Sequence, residues 1–313
     1  MLTLTAHSFE LCFHNLNVLS RGENKDKGSP MKKTILQGIG AAIILALAGC
    51  AAPQQGAQQP SPQSQQSIQQ TAQQQLAGQS VLAVNWFQQS GEYQALAWQA
   101  FNSARLAFDA SAHKVHGRRA VIVDLDETML DNSAYSAWQA KHGQPFSDKT
   151  WAEWTQAKQA VAVPGAVQFA RYVNSHGGTM FYISNRDAKD SAATKANMEA
   201  LGFPGVNDKT LLLKTDSSNK QARFDSVKAS GYHVVLYVGD NLNDFGAATY
   251  HKDNAARRQF VSDNHARFGT ELIVLPNPLY GDWESGMAPG YFKLTPEQKL
   301  QVRENNLRAW SGQ

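Results

Sequence analysis

The chain has 313 residues, of which 42% are hydrophobic, and a formal net charge of +3. That is enough to bury one good core, and it excludes a chain that is disordered throughout. The first fifty residues hold five lysines and arginines against three acids, so the remainder carries only +1. A balance so close to neutral excludes the basic footprint of a protein that binds a nucleic-acid polymer. The two cysteines, Cys12 and Cys50, leave the chain beyond residue 50 without a disulfide or a thiolate metal site.

At Met31 a basic "MKK" precedes the apolar run "ILQGIGAAIILALAG", which ends on "LAGC" at Cys50. The apolar run is short for a membrane span. The pattern looks like a bacterial lipoprotein signal over residues 31–49, which implies cleavage before Cys50 and acyl chains on that cysteine as a membrane anchor. Residues 1–30 lack this logic and are expected to be an upstream extension from the choice of an early start codon. No charge occurs between Lys33 and Glu92, and residues 50–80 are rich in Gln, Ala, Ser and Pro. This composition predicts a lipidated, flexible tether.

Beyond it, Tyr93, Ala97, Phe101, Ala104 and Phe108 recur at helical spacing, predicting an amphipathic helix over about 91–110. Short apolar runs follow: "AVIVDL" from Ala120, "GTMFYIS" from Gly178, "LLL" from Leu211, "VVLYVGD" from Val234 and "ELIVL" from Glu271. Helix-like segments from Pro164, Asp187 and Asn219 separate several of them. Short strands alternating with helices predict an α/β fold with a parallel sheet buried on both faces. Ligands of such sheets gather at the carboxyl ends of the strands. Asp124 and Asp126 end the first strand, Ser184 and Asn185 the second, and Asp240 the fourth.

Charged groups at the end of a buried strand are costly unless they are paired, bound to metal or used in chemistry. A carboxylate such as Asp124 can attack phosphorus in line with the leaving oxygen. In an extended chain Asp126 lies on the same side, suited to a general acid and base. Ser184 and nearby backbone N–H groups suit phosphoryl oxygens, and either Lys214 or Lys220 can supply positive charge. An all-oxygen set suits Mg2+.

Four pieces in this order, "DLDET" at Asp124, "SNRD" at Ser184, "SNK" with Lys220 and "GDNLNDF" with Asp240 and Asp244, resemble the signature of the haloacid dehalogenase superfamily. "DLDETMLDNSAY", "FYISNRD", "VLYVGDNLNDFG" and "LPNPLYGDWE" look more closely like the class C acid phosphatases, the outer-membrane lipoprotein 5'-nucleotidases of Gram-negative bacteria. The resemblance implies a Rossmann-like parallel sheet over 81–313 with helices on both faces and a small, mostly helical lid at about 132–163. It implies catalysis by Asp124, Asp126, Ser184 and Lys220, the family pattern selecting Lys220 over Lys214. It also implies a Mg2+ site made of Asp124, Asp240 and the Asp126 carbonyl, with Asp244 behind it or orienting water.

Phe146 and Trp151 resemble family positions near the nucleoside, Asn185, Arg186 and Tyr280 are further expected substrate-binding residues, and Trp154 fits either base stacking or packing of the lid. The expected activity is hydrolysis of phosphate monoesters, nucleoside 5'-monophosphates or nicotinamide mononucleotide, at the outer membrane, by a possible homodimer. A phosphotransferase and a non-catalytic surface binding lipoprotein are the alternatives. The second is disfavoured because binding alone has no need of Asp126.

Overall fold

The computed structural model describes residues 62–312, so the lipidation candidate Cys50 and the segments before it lie outside the described residues. The first element is a long helix, α1 (Pro62–Gln89). The tether expected to reach Ser80 is therefore helix from Pro62 onward. Gln and Ala are good helix formers. The sparse apolar residues Ala72, Leu76, Ala77, Val84 and Phe87 fall at helical spacing and are buried, on a helix that packs on other helices described below. Low mean hydropathy hid a narrow but sufficient stripe.

Ser90 breaks the chain and caps α2 (Gly91–Ser111), its hydroxyl accepting the Tyr93 N–H at 3.1 Å. Then come β1 (Arg119–Val123) and β2 (Leu130–Asp131), α3 (Ser133–His142), α4 (Asp148–Ala157) and β3 (Val161–Ala162). They are followed by α5 (Ala166–Ser175), β4 (Gly178–Asp187), α6 (Ser191–Leu201), β5 (Leu211–Lys214), α7 (Gln221–Ala229) and β6 (His233–Gly239). The chain closes with α8 (Asn254–Asp263), β7 (Leu272–Val274), α9 (Asp282–Ser285) and α10 (Pro296–Asn305). α1 packs mainly on α3 and α10, and its end also meets α2 through Trp86, Phe87 and Tyr93. No helix among the described residues is long and apolar enough to cross a membrane.

Five strands form one parallel sheet in the order β5-β4-β1-β6-β7. The period of two sorts their side chains between two cores. Val121, Val123, Met180, Tyr182, Leu236 and Val238 join the larger core with Phe101 and Phe108 of α2 and Phe169 of α5. Ala120, Ile122, Phe181 and Ile183 meet Phe224 and Val227 of α7 on the other face. Helices thus cover both faces, as near-continuous apolar strands require. A Cβ on Gly178 would lie 2.7 Å from Phe108 and Val173, so α2 and α5 close over the start of β4 only because that residue is glycine.

Between β1 and β4, the antiparallel pair β2 and β3 forms the base of an insertion that carries α3 and α4. Because β1 is central, with β4 and β6 as neighbours, the carboxyl ends of these three strands meet at one edge. If α1 is part of the fold from Pro62, Leu76→Ala should lower unfolding free energy by roughly 2 kcal/mol or more, as for other buried leucines. Denaturant unfolding measures this, and a change near zero would mean that the segment before Ser80 is a free tether.

Candidate active site

β1 ends with the Asp124 N–H donating to the Val238 carbonyl at 2.9 Å. Leu125 then turns into the core, and its carbonyl accepts the N–H groups of Thr128, Met129 and Leu130 at 3.3, 2.8 and 2.7 Å. Glu127 takes a left-handed conformation, φ 59°, to make this turn. The turn leaves Asp124 and Asp126 side by side at the strand end, each with its own set of partners.

Asp124 is ion-paired with Lys220, whose Nζ also donates to Asp244 at 2.7 Å. Asp240, at the end of β6, accepts Thr128 Oγ1 at 3.1 Å and Asn277 Nδ2 at 2.8 Å. One carboxylate oxygen each from Asp124, Asp240 and Asp244 lies within 4.8 Å of the others. Burial pushes the Asp124 carboxyl up to about 7, with Lys220 pulling it down and Asp244 adding to the rise. Burial likewise holds Asp240 well above the usual carboxylate range, with Asp244 and Asp124 contributing. Burial disfavours the Lys220 ammonium, but Asp124 and Asp244 outweigh it and raise its pKa.

Lys220 brings one positive charge to three carboxylates, and all the donors are oxygens. That set fits a hard divalent cation. Asp244 reaches this position because Gly239 has no Cβ, which would collide with its carboxylate. Its second oxygen accepts the Asn241 N–H at 2.9 Å. The loop is tied down by buried Arg257, which donates to Asn241 Oδ1 at 2.9 Å, Asn243 Oδ1 at 3.1 Å and the Thr249 carbonyl at 3.1 Å.

Asp126 faces a different group. It accepts Ser184 Oγ at 3.0 Å, Arg186 Nε at 2.8 Å and Asn132 Nδ2 at 2.9 Å. Arg186, expected beside the substrate, is only 1% exposed, and its other donors go to Asn132 Oδ1 at 3.0 Å and Thr194 Oγ1 at 3.4 Å. Its guanidinium lies 5.6 Å from the Trp151 ring centroid. Trp151 is half-buried, 5.2 Å from Tyr135 and 6.1 Å from exposed Phe146. Trp154 packs against the core, with its indole N–H on Asn132 Oδ1 at 2.9 Å.

Tyr280 keeps its ring partly exposed and donates its hydroxyl to Glu127. Asn185 is exposed, with its Oδ1 accepting Arg223 Nη2 at 2.6 Å. Lys220, not Lys214 at the end of β5, is the ammonium that meets Asp124.

Glu127, Asn132, Arg223 and Arg257 join the site without having been singled out from the sequence. Glu127 had a readable signal, since it is a third acid in "DLDET" and is fully buried, accepting the Asn132 N–H at 2.8 Å. Burial, and then the charge of Asp126, pushes its carboxyl up to about 8. The two arginines had no such signal, because each sits on a helix, away from the motif residues it holds.

The Asp126–Arg186 pair has a measurable consequence for stability. Arg186→Ala leaves Asp126 without its guanidinium and should cost about 3–5 kcal/mol, the usual result of breaking a buried pair. Asp126→Asn in the same chain should return part of that loss, so denaturant unfolding of the single and double variants should be clearly non-additive. Additive losses would separate the two side chains energetically.

Residues 48–283 match the family model described as HAD superfamily, subfamily IIIB (Acid phosphatase). The chain is 26% identical over 181 residues to the stem 31 kDa glycoprotein of Glycine max, covering 55% of this chain and 63% of that protein. It is 25% identical over 134 residues to acid phosphatase 1 of Solanum lycopersicum, covering 41% and 52% respectively. It thus spans less than two thirds of the length of these plant relatives. The solved structure of the class C acid phosphatase from Bacillus anthracis superposes with a TM-score of 0.70 at 34% identity, covering 78% of this chain and all of that one. The same enzyme with tungstate bound gives a TM-score of 0.71 at 34% identity, covering 75% of this chain and 99% of that one. A parallel sheet with carboxylates at the ends of β1 and β6, and a family model that covers most of the chain, place this protein in the acid phosphatase family of the haloacid dehalogenase superfamily, subfamily IIIB.

Proposed function

We propose that this protein hydrolyses phosphate monoesters through an aspartyl phosphate on Asp124, with Asp126 as the acid and then the base. The observation that carries the reading is the division of labour at the end of β1. Asp124 lies against Lys220, a cation suited to a phosphoryl group, while Asp126 lies against the Ser184 hydroxyl and the Arg186 guanidinium. In the first step an Asp124 oxygen forms a bond to phosphorus as the ester P–O bond breaks, and protonated Asp126 gives its proton to the departing oxygen. In the second step Asp126, now a carboxylate, takes a proton from water as that water attacks phosphorus, releasing orthophosphate and restoring Asp124. Lys220 bears on the phosphoryl oxygens throughout, and the Ser184 hydroxyl can turn its single proton to them while Asp126 is protonated. Asp124, Asp240 and Asp244, with the Asp126 carbonyl, would hold Mg2+, which supplies charge neutralisation to the phosphoryl group when bound.

Nucleoside 5'-monophosphates, or related esters such as nicotinamide mononucleotide, are the proposed substrates. Half-buried Trp151 and exposed Phe146 offer aromatic surface near Asp126 and its partner Arg186, and stacking on such rings tolerates any base. The lipid anchor on Cys50, placement at the outer membrane and a homodimer belong to the same reading and rest on the leader sequence and on family resemblance.

Asp126→Asn tests the acid role, because a sugar alkoxide needs a proton to leave and a nitrophenolate does not. In single-turnover experiments the variant should lose roughly a hundredfold or more on a nucleoside 5'-monophosphate and much less on 4-nitrophenyl phosphate, as expected of general acid catalysis. Equal losses on the two esters would remove Asp126 as the leaving-group acid.

A further inference from the structure

β4 does not continue straight to its end. It pairs with β1 as far as Tyr182, and its register with β5 shifts between Ile183 and Asp187. Ser184, Asn185 and Arg186 occupy this irregular stretch. Bulges of this kind re-aim side chains beside active sites and need outside support. Part of the support is local: Ser184 Oγ accepts the Arg186 N–H at 3.0 Å while donating to Asp126. The rest comes from α7. Arg223 donates through Nη1 to the Ser184 carbonyl at 2.5 Å, and through Nη2 to Asn185 Oδ1 at 2.6 Å and the Ser217 carbonyl at 3.4 Å.

Arg223 stands three residues after Lys220, so the two cations leave neighbouring positions on one helical turn. Lys220 is committed to Asp124 and Asp244, whereas Arg223 grips the loop that carries Ser184. A trans peptide is planar, so a Ser184 carbonyl held toward Arg223 turns the following N–H, that of Asn185, to the opposite side. The fork geometry of a guanidinium suits two acceptors at once, which one ammonium cannot reproduce.

We infer that Arg223 is a positioning residue for the oxyanion: by clamping the Ser184–Asn185 peptide it sets the Ser184 hydroxyl and the Asn185 N–H as a cradle for the phosphoryl group beside Asp124. This rests on the phosphatase reading above. Arg223 itself need not touch the substrate, since its effect passes through the loop.

Calorimetric titration of tungstate into the Mg2+-supplemented wild type, Arg223→Ala and Arg223→Lys tests it, with Mg2+ affinity and melting temperature measured alongside. Both variants should bind tungstate about tenfold or more weakly, while Mg2+ affinity stays within about twofold. Lysine should fail to rescue, because it keeps the charge but loses the fork. Wild-type tungstate affinity in Arg223→Lys would overturn the clamp and leave only a charge effect. A lower melting temperature with unchanged tungstate affinity would reduce Arg223 to a structural tie and also overturn it. Should Arg223→Ala fail to fold, the lysine variant decides between these outcomes alone. A wild type that neither binds tungstate nor hydrolyses a phosphate ester would overturn the phosphatase reading and this inference together, whereas an active wild type with unaltered variants would overturn this inference only.

Discussion

Three buried or half-buried carboxylates, Asp124, Asp240 and Asp244, share a space in which their oxygens lie within 4.8 Å of one another. Water-poor surroundings and mutual repulsion work against their charged forms, which is why burial heads the causes that raise Asp124 and Asp240. Lys220 relieves part of this, and a divalent cation is the natural complement for the rest. Much of the nearby architecture keeps these groups together despite the cost. Gly239 gives Asp244 room, Arg257 pins its loop, and Thr128 and Asn277 hold Asp240. Hydrogen bonds from Lys220, Arg257, Thr128 and Asn277 hold the site, so its geometry is set before any substrate arrives.

The second constraint is the wall beside that site. Asn132 joins Asp126, Arg186 and Trp154, so the insertion is tied to the carboxyl end of β1 through one amide. α1 packs along α3, with Gln88 donating to Ser133 at 3.1 Å, and Arg303 of α10 donates to Gln79 at 2.7 Å. The helix that follows the N-terminal segment therefore braces the element carrying Tyr135, against which Trp151 sits. A segment that reads by composition as a spacer has its later half built into the support of the insertion.

The strands and the order of the motifs were legible because they depend on local patterning. Apolar runs bounded by polar residues put "DLDET", "SNRD" and "GDNLND" at strand ends, and the sheet order then brings those ends together. Mean hydropathy averages away the stripe of Ala72, Leu76, Val84 and Phe87 that packs α1, so composition alone reads its first part as tether. Arg186 was expected to face the substrate, yet it is spent on Asp126, a partner sixty residues earlier. Arg223 and Arg257 carry no signal in the sequence for a different reason: an arginine on a helix reads as solvated until the tertiary fold shows which loop it holds.

The account turns on Asp124 becoming phosphorylated. The most direct measurement is to quench turnover with acid, reduce with borohydride and map the modified residue by mass spectrometry, since an acyl phosphate of aspartate is reduced to homoserine. The account predicts homoserine at position 124 and none in Asp124→Asn. Homoserine at another position, or its absence at 124 while the enzyme is turning over, would contradict it.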